Sequence, residues 1–195
     1  MDIKRSKDLS IIIPNHREKW CNEVVAWCKH LYPFAQIIVS HDNYGMGKGW
    51  AIKQGLKEVN RETVVLIDAD MDIHPKEIKK LLAKKDNYDI VIGVKDIKFI
   101  PFRRKLLTIF SRLIIRILFG LPISDTQTGL KLINRKALVG VNTNGFAYDV
   151  EMLAKAHDFG YVIGEVEIDV HTTKSKSFKT MIKTLKEMLI VWMGL

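Results

Sequence analysis

The chain has 195 residues, 47% of them hydrophobic, which is enough for one good core and most simply a single domain. Its 31 basic and 22 acidic residues leave a net charge of +9, which implies anionic partners: phosphates, an acidic membrane surface or nucleic acid. No stretch reaches the roughly 18 uncharged apolar residues that would span a bilayer, and the polar start (Asp2, Lys4, Arg5, Lys7, Asp8) does not suit a signal peptide.

Residues 9–13 form a short apolar strand stopped by Pro14. Apolar positions at Val24, Val25, Trp27 and Leu31 predict a helix over about 18–30. Cys21 and Cys28 lie seven apart on one face of it, form no metal pattern, and read as small apolar packing residues in a reducing, cytoplasmic setting. Residues 36–40 are a second strand, followed by His41-Asp42-Asn43. Gly45-Met46-Gly47-Lys48-Gly49 then leads into a helix over about 50–59. These glycines match neither the Walker A loop nor the dinucleotide pattern. A lysine and backbone amides at a helix start nevertheless favour an anion, and a flexible turn fits the same residues.

The central stretch is Thr63 to Asp72. Five apolar or β-branched residues, the pattern of a strand buried on both faces, run into Asp68, Asp70 and Asp72. Alternate positions of an extended segment share a face, so the three carboxylates are expected to converge just past the strand. Such acids need a cation between them, and hard oxygen ligands suit Mg²⁺ or Mn²⁺ with a phosphate completing the shell. A nucleotide diphosphate held by a metal follows. The alternative is an acidic turn capping the helix that Pro75 begins. An EF-hand is excluded, because its sixth and twelfth positions would be Ile73 and Lys79.

A helix over about 75–85 and a strand over 88–94 continue the alternation, which argues for an α/β layered fold with a mostly parallel sheet. Ligands of such sheets sit beyond the carboxyl ends of the strands. Residues 98–124 hold six basic side chains and no acid. Within 103–119, Arg104, Thr108, Ser111, Arg112 and Arg116 make one helical stripe on an otherwise apolar helix. That pattern describes a helix in a membrane interface, or a core helix with arginines at its rim. Residues 130–133 and 162–170 read as strands, and 145–159 as a helix ended by Gly160. The tail over 176–193 repeats the interfacial pattern, with Phe178, Met181, Ile182, Leu185, Met188, Leu189 and Trp192 opposite Lys176, Lys179, Lys183 and Lys186. Membrane attachment explains the charge better than nucleic acid, which would use a basic face with fewer Leu and Ile.

Several segments together resemble the family-two glycosyltransferases, in the dolichyl-phosphate mannose synthase and polyprenyl-phosphate glucosyltransferase branch. The segment from Leu121 through Asp125-Thr126-Gln127-Thr128-Gly129 to Lys131 is nearly that branch's signature. Asp68-Ala69-Asp70 with Pro75 matches its metal-binding acids, Gly145-Phe146 with Asp149 and Glu151 its sugar-site segment, and Glu165-Val166 with Ser175-Lys176 its late loop. The resemblance implies a GT-A fold and inverting, metal-dependent transfer of a hexose from a GDP-mannose or UDP-glucose type donor to a polyprenyl or dolichyl phosphate. The setting implied is the cytoplasmic face of a membrane, held peripherally, with a membrane-protein partner possible. Asp68, Asp70 and Asp72 would be the metal set, with Asp72 standing where relatives commonly carry Gln. Asp70, Asp125 and Gln127 would serve catalysis. Pro14, Glu18, Asp42, Lys48 and Asp68 would bind the nucleotide. Lys95, Arg104, Thr108, Lys174 and Lys176 would hold the acceptor phosphate. The amino-terminal part departs from the branch: Pro14-Asn15-His16-Arg17-Glu18 keeps only the ends of its motif, and Ser40-His41-Asp42 runs straight into the glycines where relatives insert a helix and a strand. Two alternatives use the same residues, a transferase for a glycan or modified nucleic acid and a non-catalytic scaffold.

Overall fold

The computed structural model describes residues 7–95, 102–121, 123–171 and 178–194. Six strands form one sheet: β1 (Leu9–Asn15), β2 (Gln36–His41), β3 (Thr63–Ile67), β4 (Ile90–Lys95), β5 (Leu130–Asn134) and β6 (Ile163–Ile168). The helices are α1 (Cys21–Leu31), α2 (Lys48–Lys57), the short α3 (Ile78–Leu82) behind a 3₁₀ turn (Pro75–Glu77), α4 (Phe102–Phe119), α5 (Tyr148–Asp158) and α6 (Phe178–Gly194).

The strand order is β2-β1-β3-β5-β4-β6. All neighbours are parallel except β5, which runs antiparallel to both β3 and β4. The expected mostly parallel α/β sheet is therefore present, with one reversed strand inside it. Because Ile67 pairs with Leu130, the segment before β5 arrives at the edge where β3 ends.

Side chains alternate across the sheet, and each face has its own core. Ile12, Val64, Leu66, Ile90, Ile92 and Ile133 point to one layer, with Ile52 of α2, Ile115 and Phe119 of α4, α5, and Met188 and Val191 of α6. Ile11, Ile13, Val65, Ile67, Val91 and Leu132 point to the other, covered by α1 and α3. Cys21 and Cys28 lie free and buried in that second layer, and burial pushes the Cys28 thiol up to about 12. They pack as apolar residues, as expected.

Pro14 does not stop β1, which continues to Asn15 in register with β2. The pairing with β3 has already ended at Ile12, so the N–H that Pro14 lacks is not needed on that side.

Candidate active site

The central run leaves its strand at Ile67, and the next residues turn. Asp68 N–H donates to Gly129 O (3.1 Å), Asp70 Oδ1 accepts from Asp72 N–H (3.0 Å), and Met71 between them has φ 62°. Asp72 O in turn accepts from His171 N–H (3.0 Å). The alternation that was expected to aim three carboxylates at one point thus ends before the acids begin. Among the described residues, no group of three or more His, Cys, Asp or Glu side chains is placed to hold a metal. Asp68 and Asp70 remain half-buried carboxylates of the hard-oxygen type that Mg²⁺ or Mn²⁺ takes alongside phosphate oxygens. The acids do not cap the helix at Pro75 either. His74 fills that role, its Nδ1 accepting from Lys76 N–H (3.1 Å).

Beside this turn lies a row of alternating charges. Lys48 Nζ is 2.8 Å from Asp68 Oδ1 and 3.4 Å from Asp149 Oδ2. Lys131 Nζ is 2.8 Å from Asp149 Oδ1 and also donates to Thr128 O. Burial drives the Lys48 ammonium down, but Asp149 and Asp68 outweigh it and the net displacement is upward, so Lys48 stays charged. For Lys131 burial wins over Asp149, and the neighbouring Lys48 charge adds to the downward displacement. Lys131 and Asp149 are buried, and each is tolerated there because the other is present. Lys131 was quoted in the signature segment but given no role. Its one legible signal is a lysine inside the apolar run Leu130–Asn134, all but the last residue of which is buried.

The glycine loop presents Lys48. Asp42, itself buried, accepts from Met46 N–H and Gly47 N–H at 2.8 Å each, one on either carboxylate oxygen. Burial alone would raise its carboxyl; those two amides, with His16 at 3.4 Å, hold it below the usual range. Asp42 therefore shapes the loop from inside. Pro14 is buried within β1, while Glu18 is exposed and its N–H donates to Asn15 Oδ1 (2.8 Å).

Asp125 and Gln127 lie in the segment that β5 brings to this edge. Asp125 Oδ2 is 3.2 Å from Arg112 Nη2, and its Oδ1 accepts from Gln127 N–H (3.1 Å). Ser124 Oγ donates to Glu165 (2.9 Å), which ties the segment to β6. Arg112 was expected only in the basic stripe of α4; it turns inward to Asp125 instead. Asp149 and Glu151 stand in the first turn of α5, where Glu151 accepts from Asn142 N–H and Thr143 N–H at 2.9 Å each. Lys95 is the last residue of β4 and half-buried. Arg104 and Thr108 belong to α4, but their side chains lie outside the described residues, as do Lys174 and Lys176 altogether.

Residues 22–141 match the family model described as glycosyl transferase family 2. The chain belongs to that family. Among relatives of this family-2 chain is a dolichyl-phosphate beta-glucosyltransferase of Trichomonas vaginalis, 30% identical over 93% of this chain and 60% of its own length. Another is the dolichol-phosphate mannosyltransferase of Pyrococcus furiosus, 33% identical over 56% of this chain and 34% of its own. The chain thus spans less than two thirds of either relative. Among solved structures, glucosyl-3-phosphoglycerate synthase from Mycobacterium tuberculosis, in complex with Mn²⁺, uridine diphosphate and phosphoglyceric acid, superposes with a TM-score of 0.80 at 14% identity, covering 99% of this chain and 81% of that one. The fold is GT-A, with the glycine loop, the β3 acids and the segment before β5 gathered at one edge of the sheet.

Proposed function

We propose that the protein transfers a hexose from a nucleotide-diphosphate sugar to a polyprenyl or dolichyl phosphate at the cytoplasmic face of a membrane. The observation that carries this is the Asp68–Lys48 pair at the carboxyl end of β3, with the Asp125 segment beside it. The dolichyl-phosphate names of the two relatives support the acceptor class.

The acceptor phosphate is already an anion, so attack on the anomeric carbon needs little help from a general base. Positioning and charge neutralisation supply most of the rate. One in-line displacement, with inversion, forms the new phosphate–sugar bond as the diphosphate departs. Asp68 and Asp70 would hold Mg²⁺ or Mn²⁺, and that ion would take up the charge developing on the departing diphosphate. Lys48 lies within reach of Asp68 and supplies a second positive charge at the same edge. Arg112 holds Asp125, which would lie beside the sugar.

Two helices suit the membrane surface. On α4, Ile109, Leu113 and Ile117 are exposed at four-residue spacing, opposite the buried Ile115 and Phe119. On α6, Leu189, Ile190, Trp192 and Met193 are exposed, while Met188 and Val191 face the core. No helix among the described residues is long and apolar enough to cross a membrane.

The test is transfer of radiolabelled sugar from GDP- and UDP-sugars to polyprenyl phosphate in vesicles, with Mn²⁺ or Mg²⁺. Metal-dependent product is expected, reduced roughly 100-fold or more in Asp70→Asn. Transfer to phosphoglyceric acid but not to lipid would overturn the acceptor. No product from any donor would favour the scaffold.

A further inference from the structure

The segment 143–149 is clamped between two parts of the chain. On one side is the glycine loop: Trp50 N–H donates to Asn144 O (3.1 Å), and a Cβ on Gly49 would lie 2.7 Å from Tyr148 Cβ and 2.9 Å from Thr143 O. On the other side is α6. Glu187 Oε2 accepts from Ala147 N–H (3.2 Å), and a Cβ on Gly145 would collide with the Glu187 carboxylate. Ala147 is the residue that opens α5, and it has no side-chain cap of its own. The helix start therefore takes its acceptor from an acid forty positions later. Two residues on is Asp149, which holds Lys48 and Lys131.

We propose that Glu187 is a positioning residue, fixing the start of α5 from α6 and through it the Asp149–Lys48–Asp68 row that faces the donor. The chain of contacts is continuous: Glu187 to Ala147, the first turn of α5 to Asp149, Asp149 to Lys48, Lys48 to Asp68. Nothing in it requires Glu187 to touch substrate. Met188 and Val191 seat the same helix in the core beside Ala147 and Tyr148, so α6 has a fixed place from which to act. The consequence for turnover rests on the transferase reading above; the clamp itself does not.

The experiment compares Glu187→Leu and Glu187→Gln with the full chain. Gln keeps an oxygen acceptor for Ala147 N–H, whereas Leu keeps the bulk alone. In Glu187→Leu, amide exchange at 145–149 is expected to quicken by about tenfold or more, the exchange of β1 and β3 staying as it was. Its kcat for lipid-linked product should fall roughly 10- to 100-fold with vesicle binding unchanged. Glu187→Gln should recover both readouts to within about threefold of the parent. Parental exchange at Ala147 in the Leu variant, or a kcat within twofold of the parent, would overturn the proposal. Were the parent to make no product at all, the transferase reading would fall while the exchange comparison still decided the clamp.

Discussion

A methyl group at position 129 would run into the carboxylate of Asp68. The two residues are locked together by the Asp68 N–H to Gly129 O bond at 3.1 Å, so neither backbone can step aside without disturbing the β3–β5 ladder. In Gly129→Ala the carboxylate must leave Lys48 or the strands must spread. The expected result is a transfer rate lower by roughly 100-fold and a stability loss of about 1–3 kcal/mol, read from product formation and thermal unfolding. At this scale the sequence singled out candidate residues and was poor on their partners. Asp68, Asp70, Lys48 and Asp125 stand out by residue type and neighbours. That Lys48 meets Asp68, or that Arg112 meets Asp125, depends on pairs brought together by the sheet and not by spacing. Asp42 likewise has partners that spacing did not announce, the Met46 and Gly47 amides of its own loop.

Helix α5 and the loop before it are joined through one carboxylate. Glu151 accepts from two backbone amides and pairs with Lys155 at 2.8 Å; burial would raise its pKa, but these bonds bring it from 4.5 to about 2. A group with a depressed folded pKa stabilises above its unfolded value and loses that contribution as pH falls through the folded one. Stability from Glu151 is therefore complete above about pH 4.5 and drains away between there and about pH 2. Glu151→Gln should be less stable near neutral pH and should show a shallower acid limb across that window, measured by urea unfolding at successive pH values. Element positions were legible wherever one rule dominated, as at Thr63–Ile67, whose bounds the apolar run marks in full. They were blurred where two rules met. The expected helix over 75–85 is a 3₁₀ turn and five helical residues, since Pro75 and the His74 cap govern its start and Leu82 ends it early.

For the molecule as a whole, the net charge of +9 and the exposed apolar rows on α4 and α6 make one prediction about surfaces. Sedimentation with anionic vesicles should capture the protein and release it as salt is raised. Ile117→Glu combined with Trp192→Glu should weaken capture by about tenfold or more while leaving thermal unfolding nearly unchanged, since both side chains are already exposed. The reversed strand was a feature of the architecture that residue patterns did not disclose. A buried strand looks the same in either direction, and its orientation is decided by the connections around it.

The strand order also sets a timetable. β3 gains β1 from residues already made, but its other neighbour is β5, whose residues 130–134 come more than sixty positions later. At about 5–20 residues per second on a ribosome, one flank of Thr63–Ile67 stays unpaired for roughly 3–13 seconds. β4, although its sequence precedes β5, has no place in the sheet until β5 has arrived between it and β3. The nascent chain consequently carries an open backbone edge on a buried-type strand through the middle of its synthesis, and the strand that runs into Asp68 and Asp70 is the one left waiting.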